Sequence, residues 1–116
     1  MFERYSFVAI TTVNLDRARE FWVNTLGFTI TEAAVGQFFI VDAGGLRLCI
    51  DLADGEIHEP GGTDPTIGLK VRSIADVLSR LASLGIETEL NNVPGRGKYA
   101  VIRDPDGRAV IITESD

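Results

Sequence analysis

Apolar residues along this chain follow two periods, and the periods alternate in the same order in each half. In "NLDRAREFWVNTLGF" the residues Leu15, Ala18 and Trp22 recur at the spacing of one helix face, and in "SIADVLSRLASLGI" Ile74, Val77 and Leu81 do the same. Asn14 and Ser73 stand just before these runs, each able to accept from the orphan amides of a first turn. Asp76, three residues after Ser73, makes a capping box with Asp in place of Glu. Each run closes on Leu-Gly, and Gly27 and Gly85 supply the left-handed conformation that stops a helix. The pattern predicts helices over 15–26 and 74–84.

Between the helical runs the period drops to two. Strands are predicted at 6–13, 28–32, 37–41 and 47–52, then at 66–71, 87–90, 98–103 and 109–114. The order is βαβββ followed by βαβββ. In 47–52, Leu48, Ile50 and Leu52 should face the helices, which turns Arg47, Cys49 and Asp51 the other way. In 66–71, Ile67, Leu69 and Val71 go under the helix while Thr66, Gly68 and Lys70 look across the sheet. Tyr99 and Arg103 share a strand face with each other. Of Phe38 and Phe39, alternation sends one to the core and one across the sheet without choosing; Phe39 is the one counted among ligand-contacting residues. The segment "ADGEIHEPGGTDP" reads as a connecting loop. The expected organisation is a single domain, 1–116, with one module over about 1–53, a linker over 54–65 and a second module over about 66–116.

Composition narrows the function. At 116 residues and 45% hydrophobic the chain has the length and apolar content of one folded domain, and no apolar run reaches the ~20 residues that cross a bilayer. A basic region with an apolar stretch behind it is missing from the start, so a cytoplasmic location is expected. The net charge of −6 repels phosphate backbones and disfavours nucleic acid as a partner, while it favours cationic ligands weakly. Cys49 is the single cysteine, which leaves no intrachain disulfide and no Cys-rich zinc site, and inside an apolar strand it reads as a core residue. His58 is the single histidine; it stands in the linker beside Asp54, Glu56 and Glu59. No nucleophile with an adjacent base is visible, and no catalytic residue is assigned. Acid-base work by Asp51 with Tyr99 is conceivable.

The duplicated βαβββ order, the two helix segments quoted above and the turn "RDPDGR" together resemble the vicinal-oxygen-chelate superfamily, which includes glyoxalase I, extradiol dioxygenases, fosfomycin-resistance enzymes and bleomycin-resistance binding proteins. The resemblance covers essentially the whole chain. It implies an α+β fold in which two modules form a curved, open barrel-like mixed sheet around a cleft, with helices on the outer face and a homodimer as the common assembly. It also implies four metal-ligand slots, usually His and Glu, on the first and last strands of each module. Carried onto this chain, the slots fall on Phe7, seven residues before Asn14; on Thr66, seven before Ser73; on Ile111, four after Gly107; and, in the fourth strand, at about Asp51.

Phe, Thr and Ile do not hold a divalent ion, so neither a metal nor another cofactor is expected. Phe7 and Ile111 should make the cleft apolar at its centre, ringed by Phe39, Arg47, Cys49, Asp51, Thr66, Tyr99 and Arg103 as ligand contacts. The expectation is a small-molecule-binding homodimer, similar to the bleomycin-resistance proteins, sequestering a cationic or aromatic drug-like ligand. An enzyme of the glyoxalase or dioxygenase type with an atypical site is the alternative, and an accessory domain without a ligand is a third.

Overall fold

The computed structural model describes residues 1, 3, 6–53, 65–94 and 97–115, with the side chains of residues 43 and 93 left aside. It divides into two compact units, Met1–Asp64 and Pro65–Asp116. The first unit runs β1 (Val8–Thr12), α1 (Leu15–Arg19) continuing as a π-helix over Glu20–Thr25, β2 (Thr29–Ala34), β3 (Phe38–Ala43) and β4 (Leu46–Leu52). The second runs β5 (Ile67–Val71), α2 (Ile74–Ser83), β6 (Glu89–Val93), β7 (Gly97–Arg103) and β8 (Ala109–Glu114). Each unit is α+β, with one helical segment on an open four-stranded sheet, in the order β1-β4-β3-β2 or β5-β8-β7-β6. In both, the first strand pairs in parallel with the last, and the other neighbours are antiparallel.

Local chemistry sets the helix starts. The Asn14 side chain accepts from the Arg17 amide at 3.1 Å, and Ser73 Oγ accepts from the Asp76 amide at 3.2 Å. The second helix has a further tie: Glu114, at the end of β8, accepts from the Ile74 amide at 3.1 Å. The first helix differs in its second half. Gly27 lies thirteen residues after Asn14, whereas Gly85 lies twelve after Ser73, and the extra residue is absorbed by π-helical winding, seen in the Leu26 amide donating to the Phe21 carbonyl at 2.9 Å. This widening lets consecutive residues Phe21 and Trp22 both bury. Their rings meet edge to face at 5.2 Å, and Phe28 stacks on Trp22 at 6.2 Å. In α2 the residue before the equivalent Leu81 is Arg80, which is exposed.

The cores lie on the helix side of each sheet. Leu48, Ile50, Ile10 and Val41 fill the first, and Ile67, Val110, Ile112, Ala100 and Ile102 the second. Leu52 departs from the expected pattern; it shares the helix-side parity of Leu48 and Ile50 but ends its strand 44% exposed. The sixth strand also differs, covering Glu89–Val93 rather than 87–90. Asn91 and Asn92, beyond the end of the expected strand, lie in the ladder opposite Tyr99 and Lys98, where pairing overrides their low strand propensity.

Candidate functional site

With the cores assigned, the ladder registers decide which side chains stand on the helix-free face of each sheet, because directly opposed residues point the same way. In the first unit Ala9, Cys49, Ile40 and Glu32 make one row across the sheet, and Thr11, Asp51, Phe38 and Ala34 make the next. Arg47 and Asp42 stand opposed in a third row, with Phe7 just ahead of β1 on the same alternation. The expectation for Phe39 is therefore corrected. It pairs with Ile50 and is 5% exposed on the core side, and Phe38, half-buried, takes the helix-free face.

Glu32 is the residue that alternation misses. Counting by twos from Ile30 would turn it into the core, but a β-bulge at Thr31 shifts the register, so that Ile30 opposes Val41 and Glu32 opposes Ile40. The bulge re-aims the carboxylate onto the helix-free face. There Glu32 meets Arg47 at 3.4 Å, and the same guanidinium donates to the Ser6 carbonyl at 3.1 Å. Since β3 separates β4 from β2, the pair reaches across it. Around it Ile40 and Cys49 are buried, Arg47 and Phe38 are partly exposed, and Asp51 and Phe7 are exposed, Phe7 to 48%. Burial pushes the Cys49 thiol above its ordinary range, and the Asp51 and Glu32 carboxylates add to the rise. A thiol so placed is protonated near neutrality and is a poor nucleophile.

In the second unit the corresponding rows are Gly68, Ile111, Val101 and Glu89, then Lys70, Thr113, Tyr99 and Asn91. Arg103 opposes Ala109, and Thr66 stands one residue ahead of β5. Thus Ile111, Tyr99 and Arg103 share one face, with Thr66 on its alternation, as expected. The registers also correct the fourth-strand slot. Cys49 stands to Ala9 and Ile40 as Ile111 stands to Gly68 and Val101, so Cys49 and not Asp51 is the equivalent of Ile111. His58, with Asp54, Glu56 and Glu59, lies outside the described residues, as does the linker except for Pro65.

The "RDPDGR" turn is built as a framework. Asp104 accepts from the Asp106 amide at 3.0 Å and the Arg108 amide at 2.9 Å, and its carboxylate pairs with the Arg108 guanidinium, both side chains being buried. Burial pushes the Asp104 carboxyl upward, against the pull of the Arg108 amide and guanidinium. Gly107, at φ 83°, supplies the left-handed residue that returns the chain into β8. This turn fixes the β7–β8 register and with it the position of Ile111.

Two repeated βαβββ units with parallel first and last strands define the class, and a family comparison agrees: residues 4–112 match the model of the Glyoxalase/Bleomycin resistance protein/Dioxygenase superfamily. The chain belongs to that superfamily, and it has its α+β fold. Among solved structures it is similar to a glyoxalase family protein from Enterococcus faecalis, at 26% identity and TM-score 0.78 over 96% of this chain and 97% of that one. It is also similar in fold to a lactoylglutathione lyase from Agrobacterium tumefaciens, at 20% identity and TM-score 0.78 over 97% and 93%. A bleomycin-binding protein solved in complex with bleomycin matches at 20% identity and TM-score 0.76 over 98% and 100%. A search of curated proteins returned no match.

The metal of the family's enzymes does not fit the residues at its four slots. Phe7 and Ile111 offer no lone pair, Thr66 offers a neutral hydroxyl, and Cys49 offers one buried, protonated thiol. Among the described residues no three His, Cys, Asp or Glu side chains cluster to hold an ion.

Proposed function

We propose that this chain binds a small organic molecule without a metal, on helix-free sheet faces, within a single domain formed by its two units. The observation that carries the reading is the content of the slots: hydrocarbon, hydroxyl and protonated thiol where chelation needs three or four donors. What remains on these faces is apolar surface with a few placed polar groups, which suits recognition by contact and charge. In the first unit these are Phe7, Phe38 and Ile40 beside Asp51 and the Glu32–Arg47 pair; in the second, Ile111 and Val101 beside Lys70, Tyr99 and Arg103. The likeness to a structure holding bleomycin supports a cationic, aromatic, drug-like ligand. Sequestration of such a molecule in the cytoplasm by a homodimer, conferring antibiotic resistance, is the role this supports.

The test is a thermal melt against a panel of cationic glycopeptide and polycyclic antibiotics. Saturation at ~100 times Kd contributes about 2.7 kcal/mol and raises the midpoint by roughly 10 °C. No shift across the panel, or stoichiometric nickel, zinc, iron or manganese in protein purified without a metal-affinity tag, overturns the reading.

A further inference from the structure

We propose that the Glu32–Arg47 ion pair sets the charge of the ligand taken by the helix-free face of the first unit, reserving it for an organic cation with an aromatic or aliphatic body. The inference rests on the reading that this face binds a small molecule, and it adds a specificity device to it.

The bulge at Thr31 supplies the first argument. A β-bulge costs a strand a ladder residue and re-aims the next side chain, here Glu32, which is turned from the core onto the helix-free face. The matching strand pair of the second unit, β6 with β7, runs in continuous register without such a shift. The second argument is the state of each charge on the face. The Arg47 guanidinium is committed to Glu32 and to the Ser6 carbonyl, and Asp42 accepts from the Gly45 amide at 2.9 Å. Asp51 is exposed, and among the described residues it has no ion-pair partner. With the pair formed, an arriving ligand meets the rings of Phe7 and Phe38 and the carboxylate of Asp51, a combination that attracts cations through both ring quadrupole and charge.

Neutralising Glu32 reverses this. Removing that negative charge from beside Arg47 shifts the charge balance of the face toward positive over the same apolar floor, which suits a carboxylate, sulfonate or phosphate. Glu32 is thus a positioning and specificity residue, acting through Arg47 and not by contact alone.

Fluorescence titration with two aromatic dyes of opposite charge tests the idea: cationic thioflavin T and anionic 8-anilinonaphthalene-1-sulfonate. The unmodified chain should bind thioflavin T more tightly by about tenfold or more. Glu32→Gln should weaken thioflavin T and tighten the sulfonate, inverting the order, and Glu32→Asp should keep the original order. Asp51→Asn should weaken thioflavin T without tightening the sulfonate. A purely structural role for the pair moves neither ratio. If Glu32→Gln melts early, the unmodified chain still decides, since added salt must weaken thioflavin T more than the sulfonate. Thioflavin T binding whose ratio to the sulfonate is unchanged in Glu32→Gln overturns the inference and leaves small-molecule binding standing. So does tighter sulfonate binding by the unmodified chain. Failure of both dyes to bind the unmodified chain overturns the inference, and the antibiotic melt decides the underlying reading.

Discussion

The two units repeat one strand order but spend their irregularities differently. The first departs from ideal geometry inside its elements, with a π-helical half in its helix and a bulge in β2, while its β3–β4 turn is a two-glycine hairpin at Gly44 and Gly45. The second keeps a regular α2 and a continuous β6–β7 ladder and concentrates its special chemistry in the buried Asp104–Arg108 turn. Each deviation has a local product. The π-helix buries Phe21 beside Trp22, the bulge delivers Glu32, and the turn pins the strand that carries Ile111. A duplicated frame has thus been individualised by single-residue changes in register, which move side chains between faces without altering topology.

The two units should differ most at their turns. Asp104→Ala removes the carboxylate paired with a buried guanidinium and should cost about 3–5 kcal/mol, whereas Asp42→Ala, which removes one exposed hydrogen bond to the Gly45 amide, should cost about 1 kcal/mol. Urea denaturation of the two variants checks the difference. Equal losses would show that the second turn is no more built than the first.

A smaller effect is expected from shortening the first helix. Deleting Asn24, an exposed residue of the π-helical segment, makes the cap-to-glycine distance equal in the two units and should restore α-helical winding. The variant should fold, since α2 shows the shorter form is viable. It should lose roughly 2 kcal/mol as Phe21 rotates toward the Arg80-like exposed position. Near-ultraviolet circular dichroism and a denaturant melt read both outcomes; failure to fold would mean the extra residue is required by the core.

The smallest effect concerns Cys49. Its raised pKa means that the folded state holds the thiol proton more tightly than the unfolded state. That contribution to stability is whole below the ordinary thiol pKa of about 8.5 and is lost as pH rises through the higher folded value. Alkylation of the folded chain at pH 7–8 should therefore be slow, with an inflection above that of a free thiol, and unfolding in urea should make it rapid. Fast labelling of the folded chain would contradict the burial.

What the sequence disclosed is what local rules govern. The capped helix starts at Asn14 and Ser73, the glycine stops and the core parity of Leu48, Ile50 and Ile67 all derive from residue type and period. Phe38 and Phe39 were indistinguishable because both are apolar and strand position alone has no face label. Glu32 was hidden because a bulge at Thr31 carries no marker in a run of Thr, Ile, Thr and Glu. The fourth-strand slot slipped by two residues, from Cys49 to Asp51, because parity is preserved by such a slip and only the ladder fixes it. The burial of Asp104 and Arg108 depends on a turn that folds them onto each other, which residue type alone does not show.

The central place of the final strand in each sheet has a consequence for biosynthesis. The first unit can close its sheet once Leu52 has left the ribosome, since β4 is the strand that joins β1 to β3. The second must wait for Glu114, which completes β8 and also caps the first amide of α2. During translation the earlier unit therefore has a finished ladder while β5 still presents an unsatisfied edge, and that edge is where a nascent chain of this design is most open to misassociation.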